Sequence, residues 1–284
     1  MKCMTTLRGI FKLLRLPYWF MTGGLSLLTL LALASDWPSL KLMALTFFSM
    51  AFLGSAGFAI NDYFDRQSDA VIKPNRPIPK GEISPETAVT TAIILFALSL
   101  ILGYIINPAS FIVITLDAAL LVLYSAYIKR KSGFAANTLV GLLTGTAFIY
   151  GETAGYGVVT VASASIFPLC LGTIGGNILR DILSMDGDSK VNYPTLPLKV
   201  GVERSVKIAA PFFIICAILA PIPFILRIFG VAYLIIISMW SISVLYASIS
   251  LVRQPLIDNI KRKERMMTMG MILIPIALIA EVLV

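Results

Sequence analysis

Asn61-Asp62-Tyr63-Phe64-Asp65-Arg66-Gln67-Ser68-Asp69 closes one of the long apolar runs of this chain. A second acidic window, with Asp181, Asp186 and Asp188, closes another. Six of the fifteen acidic residues fall in these two windows, and carboxylates beside a bilayer are costly without a task. On a helix, Asn61, Asp65 and Asp69 recur at i, i+4, i+8, and Asp62, Asp65 and Asp69 at i, i+3, i+7, so each set shares a face. Asp181, Ser184 and Asp188 repeat the i, i+3, i+7 spacing. A proline-bearing loop follows each window and closes on a glycine: Pro74, Pro77, Pro79 and Gly81, then Pro194, Pro197 and Gly201.

Oxygen-rich clusters of this kind suit a divalent metal. Magnesium takes oxygen ligands, keeps several waters, and is shared between one or two carboxylates and substrate phosphates. Two facing clusters would hold two ions and a diphosphate between them, which neutralises that group and makes it a better leaving group. Arg66, Lys73, Arg76, Arg180 and Lys190 flank the clusters as candidate phosphate contacts. The alternative is that these are solvated charges that merely end helices; the repeated spacing argues against it. The chain has no histidine, which excludes imidazole bases and histidine metal sites. Cys3, Cys170 and Cys216 have no paired spacing and read as inert thiols.

The elements that position these groups are membrane helices. Apolar residues make up 58% of the 284 and the mean hydropathy is +0.89, beyond what a soluble domain carries. Nine runs approach the ~20 residues a spanning helix needs: 17–34, 42–61, 87–106, 109–128, 134–151, 157–178, 206–226, 229–250 and 267–284. The expected fold is all-α and polytopic, a single membrane domain over 1–284, with no barrel-like alternation. Residues 1–17, with Lys2, Arg8, Lys12 and Arg15, read as an uncleaved lead-in to the first span or as an amphipathic interfacial helix. Alternating the spans places 21 of the 23 lysines and arginines on one face, leaving Lys41 and Arg227 on the other. The positive-inside rule then makes the rich face, the N-terminus and both acidic windows cytoplasmic. The net charge of +8 reflects this bias and anionic headgroups. Basic residues scattered among membrane loops exclude nucleic acid as a partner.

The run Ile60 to Ala70, followed by Lys73-Pro-Asn-Arg-Pro-Ile-Pro-Lys-Gly81, resembles the NDxxDxxxD…RPxxxG signature of the UbiA superfamily of intramembrane prenyltransferases. Arg180-Asp-Ile-Leu-Ser-Met-Asp-Gly-Asp188, with Thr195-Leu-Pro197 and Gly201, is similar to that family's second aspartate motif. The resemblance covers nearly the whole chain and implies nine helices and two Mg²⁺ ions holding a prenyl diphosphate. It assigns Asn61, Asp65 and Asp69 to one ion, and Asp181 and Asp188 to the other, with Asp186 as a further candidate. It also implies a lipid-soluble acceptor, with membrane lipids as surroundings. The first motif looks most like members that make the ether lipid digeranylgeranylglyceryl phosphate from geranylgeranyl diphosphate. Ser184, where many such members carry Asp, is similar to chlorophyll-synthase-like members, and aromatic acceptors stay open.

Further residues support a cavity between the helices. Asp117 sits inside the fourth run, where a charge should face the bundle interior. Tyr124 shares its face and Ser125 adjoins it; Lys129 waits at the cytoplasmic end, and by resemblance these line the diphosphate end. Asn137, Gly141, Thr144 and Phe148 form one face of the fifth run, suited to packing or to a cavity wall. Glu152 reads as a boundary charge, and residues 253–265 as an amphipathic interfacial connector. Catalysis is expected from Asp65 and Asp181 at the metals. The acceptor's proton would go to Asp62, Asp65, another free carboxylate or the released diphosphate. A competing reading is an ion-coupled transporter working through Asp117, against which the clusters lie at one face instead of the midplane.

Overall fold

The computed structural model describes residues 2–283, with side chains from residue 8 onward; Cys3 therefore lies outside the described side chains. Among the described residues there is no strand, and nine helices are long and apolar enough to cross a membrane. They are α1 (Arg8–Leu33), α2 (Leu40–Ile72), α3 (Pro85–Ile106), α4 (Pro108–Lys131), α5 (Gly133–Tyr156), α6 (Val161–Leu183), α7 (Val202–Ile225), α8 (Val231–Arg253) and α9 (Ile257–Leu283). Each packs on its neighbours in sequence, and α9 returns to α1, which closes the bundle into a ring. The inner part of α1 also packs on α5, across the ring.

The joints are written locally. Ser39, Ser84, Asn107, Ser132 and Thr160 cap the starts of α2 to α6 through their side-chain oxygens, satisfying N–H groups left free by the first turn. Pro85 and Pro108 occupy first helical positions, where no N–H is needed. Gly157 ends α5 with φ 68°, a left-handed conformation that glycine adopts without cost.

The helix of α2 runs past Asn61 to Ile72 without a break, so the whole first acidic window is helical, as its spacing requires. Two elements differ from the sequence reading. The segment read as an interfacial connector is instead the first half of α9, helical over Ile257–Gly270 and offset at Met271 before Leu273–Leu283. Glu152 is buried, not a boundary charge; it accepts hydrogen bonds from Thr160 N–H, Thr160 Oγ1 and Ser163 Oγ. Its carboxylate thus holds the turn between α5 and α6, because otherwise unpaired donors at that helix start need an acceptor.

The N-terminal helix Lys2–Leu14 docks against α2 and α3, with Leu13 fully buried among Ala59, Ile83, Ala88 and Ala92. Arg15 then takes a left-handed conformation, φ 49° and ψ 53°, which turns the chain into the span. Two widened π turns interrupt the spans: Phe20–Gly24 in α1 and Tyr124–Ile128 in α4. Such bulges re-aim the side chains that follow, here Lys129.

Candidate active site

The end of α2 carries Asn61, Asp62, Asp65 and Asp69, with the three aspartates buried. Asp65 is the hub. Its Oδ2 accepts from Asn61 Nδ2 at 3.0 Å and from Lys129 Nζ, and its Oδ1 accepts from the Tyr193 hydroxyl at 2.8 Å. Asp62 Oδ1 accepts from Arg15 at 2.7 Å and Arg76 at 2.8 Å, and Arg76 also donates to Asp69 at 2.6 Å. Burial opposes the Arg76 charge, but Asp62 and Asp69 outweigh it and hold its pKa above the ordinary arginine value.

The second window adjoins the first. Gly187, between Asp186 and Asp188, lies so close to Ile72 that a Cβ there would sit 2.6 Å from its side chain. From the following loop, Tyr193 reaches back to Asp65 and exchanges a 2.8 Å hydrogen bond with Ser68. Burial raises the Tyr193 pKa above the ordinary phenol value, which keeps the hydroxyl protonated as a donor. Gly133 N–H donates to Pro194 O at 2.9 Å, fastening this loop to the start of α5. One turn on, Asn137 Nδ2 donates to Asp181 Oδ2 at 2.7 Å. Lys129 and Tyr124 stand within electrostatic range of both Asp65 and Asp181. Asp188 accepts from Ser184 Oγ at 2.6 Å, while Asp186 and Lys190 are exposed.

Two candidate phosphate contacts point elsewhere. Arg66 folds back on its own helix, donating to Tyr63 O at 2.7 Å and lying 4.4 Å over the Tyr63 ring. Arg180 donates to Glu264 at 2.9 Å and to Thr268 at 3.1 Å on α9. Both follow from helix geometry, since each is one residue, about 100° of rotation, from the aspartate it adjoins. Ser125 is buried but bonds Leu121 O on its own helix. Asp117 is buried and accepts from Thr146 Oγ1 of α5 at 2.5 Å.

Tyr193 and Arg15 are the contacts to the first acidic window that the sequence reading missed. Tyr193 lies five residues beyond Asp188, in a loop with no periodicity to fix its direction. Arg15 lies 47 residues before Asp62, and only its Arg-Leu-Pro setting marked a turn there.

Among the described residues no three acidic side chains converge into a metal cage by themselves. The donor set nevertheless fits a hard cation bound jointly with phosphate. Its donors are all carboxylate or amide oxygens, and Asn61 Oδ1 is buried with no hydrogen-bond partner, an orphaned acceptor that a cation would satisfy. Lys129 and Arg76 supply the positive charge that Asp65 and Asp69 need meanwhile.

Comparison with known proteins gives the family. A digeranylgeranylglyceryl phosphate synthase of Natronomonas pharaonis is 32% identical over 234 residues, covering 82% of this chain and 84% of the relative. One from Methanocaldococcus jannaschii is 35% identical over 211 residues, covering 74% of each. A solved digeranylgeranylglyceryl phosphate synthase structure superposes with TM-score 0.85 at 28% identity, over 98% of this chain and 99% of that one. A UbiA homolog from Archaeoglobus fulgidus, solved with GPP and Mg²⁺, shares the fold with TM-score 0.72 at 20% identity, over 97% and 100%. Residues 19–272 match the UbiA prenyltransferase family, a stretch that contains both acidic windows, so the transporter reading falls and the chain belongs to that family of enzymes.

Proposed function

We propose that the protein transfers a geranylgeranyl group from its diphosphate to the free hydroxyl of geranylgeranylglyceryl phosphate, at the cytoplasmic face of the cell membrane. The observation that carries the reaction is that the two acidic windows meet: Gly187 packs on Ile72, and Tyr193, from the loop after the second window, donates to Asp65. Similarity to digeranylgeranylglyceryl phosphate synthases over about four fifths of the chain supports the acceptor. The face is argued from charge: 21 of 23 basic residues lie on the side of the clusters.

Magnesium, held through Asn61, Asp65 and Asp69 and through Asp181 and Asp188, would supply charge neutralisation of the diphosphate. The protein's own groups do the rest. Lys129 and Arg76, each now paired with a carboxylate that a metal would claim, are placed to turn onto phosphate oxygens. Tyr193 and Asn137 fix the rotamers of Asp65 and Asp181. The bond from C1 of the isoprenoid to the diphosphate oxygen breaks as the acceptor oxygen bonds to C1. The hydroxyl proton passes to the departing diphosphate, whose oxygen gains negative charge as its bond to C1 breaks. The Tyr193 loop and the Pro74–Gly81 loop roof the site and limit water, which would capture a cationic C1.

The test is purified protein in lipid nanodiscs with Mg²⁺, labelled geranylgeranyl diphosphate and a panel of glyceryl phosphate, aromatic and tetrapyrrole acceptors. The expected product is the digeranylgeranyl ether, and Asp65→Ala or Asp181→Ala lowers transfer by roughly 10²-fold or more. Prenylation of a different acceptor class, or none with a folded protein, overturns the reading.

A further inference from the structure

Beside the aspartate cluster lies a second basic concavity, which shares only Arg76 with the diphosphate chemistry described above. It is a groove of about 480 Å³ lined by Lys12, Arg15, Asp62, Lys73, Asn75 and Arg76. Its walls come from the N-terminal helix, the end of α2 and the loop after it. Four cations therefore face one lining carboxylate. Lys12 is engaged on its far side with Glu82 at 2.6 Å, and Arg15 and Arg76 share Asp62. Among the described residues Lys73 has no carboxylate within salt-bridge distance. Burial first, and then the charge of Arg76, hold its pKa below the ordinary lysine value, the condition of a cation that an incoming anion would relieve.

We propose that this groove binds the phosphate monoester of the acceptor, separately from the diphosphate of the donor. The proposal rests on the function assigned above, in which two phosphorylated lipids must be held at once. One site cannot serve both, because two such anions side by side repel. The geometry supplies the separation. The Arg76 guanidinium bridges Asp62, in the groove, and Asp69, in the first cluster, at 2.8 and 2.6 Å, so the groove and the cluster are one side chain apart. In a glyceryl phosphate the reacting hydroxyl is on the carbon next to the phosphate-bearing one. A phosphate seated against Lys73 and Arg15 thus delivers that hydroxyl toward the cluster while staying out of it.

Lys73 is in this reading an acceptor contact and not a diphosphate contact. Arg15 gains a reason for its left-handed backbone, since strain of this kind persists where the surroundings require it. Arg15 also lies 4.4 Å over the Phe58 ring, which fixes the plane of its guanidinium against the groove.

The experiment measures binding and turnover of the full-length protein in nanodiscs made only of zwitterionic lipid. With EDTA present, labelled geranylgeranylglyceryl phosphate binds, and Lys73→Gln weakens it at least tenfold. The phosphate-free analogue, geranylgeranylglycerol, binds the unaltered protein and Lys73→Gln alike. In turnover with Mg²⁺, Lys73→Gln and Lys12→Gln raise KM for the phosphorylated acceptor at least tenfold and leave KM for geranylgeranyl diphosphate within twofold. Lys73→Arg, which keeps the charge, restores most of the affinity. The proposal is overturned if donor KM rises in step, which would return the groove to the diphosphate. It is equally overturned if both acceptors weaken alike, or if the effect appears only when anionic lipid is added, which would make the groove a headgroup site. An enzyme that prenylates no glyceryl phosphate lipid sinks the functional reading instead, whereas normal transfer with unchanged acceptor KM in the variants sinks this site alone.

Discussion

Asp65 accepts from a neighbour on its own helix, from a lysine 64 residues on and from a tyrosine 128 residues on. A buried carboxylate with three donors is held in one orientation. Removing one donor should therefore misplace it without unfolding the site. Tyr193→Phe is expected to lower kcat about tenfold, equivalent to about 1.4 kcal/mol of barrier, with KM for the donor within threefold. Stability should fall by only about 1 kcal/mol, since one hydrogen bond is lost; steady-state kinetics and thermal unfolding in detergent check the two together. A kcat equal to the unaltered enzyme's would remove Tyr193 from the machinery. Asp117 makes the opposite case. Its one side-chain partner is Thr146, and an asparagine oxygen there accepts the same bond. Asp117→Asn should retain at least half of the transfer rate in the same assay; loss of more than tenfold would show that its charge is used.

At the scale of elements, close helix contacts set where the clusters meet. On α5, a Cβ at Gly151 would lie 2.4 Å from Ser26 O and 2.7 Å from Thr29 Cβ of α1, so only glycine lets these helices touch. Gly141 stands similarly against Ile174 of α6. Backbone atoms cannot swing aside as a side chain does, so Gly151→Val should destabilise by about 2 kcal/mol or more. Gly176→Ala, inside α6 where no atom lies within 4 Å, should leave the melting temperature unchanged or raise it by a few degrees in the same detergent, since alanine is the better helix former. Equal melting of both variants would mean that the α1–α5 contact does not limit stability. The face Asn137, Gly141, Thr144 and Phe148 serves packing and the site together: Gly141 and Thr144 meet α6, and Asn137 at its end holds Asp181. The small residues bring α6 close enough for that bond to form.

For the whole molecule, charge asymmetry is a statement about orientation. Lys199, in the loop after the second window, and Arg227, between α7 and α8, lie at opposite ends of α7, and both are exposed. Lys199→Cys should react with a membrane-impermeant maleimide only in inside-out vesicles, and Arg227→Cys only in right-side-out vesicles. Both variants are made on a Cys3→Ser background; Cys170 and Cys216 are buried and should add little. The reverse pattern would put the acidic clusters outside the cell.

Much of this architecture was legible in one dimension. Span length and hydropathy reflect a solvent that forbids unpaired backbone, so the nine helices follow from composition alone. The i, i+4, i+8 spacing of Asn61, Asp65 and Asp69 depends only on helical rise, so their shared face was readable too. Asp62, Asp65 and Asp69 are buried against Arg15, Arg76 and Lys129, and the helix continues through them as that spacing requires. Glu152 departs from its reading as a boundary charge because Thr160 and Ser163, its donors, come from the next helix start. What only the tertiary structure decided is which cation answers which carboxylate. Arg66 and Arg180 stand beside aspartates in sequence yet turn away, while Arg15, Lys129 and Tyr193 arrive from other elements. Partner choice depends on helix rotation and close approach across the ring, and those are fixed by packing between segments that the order of residues does not place side by side.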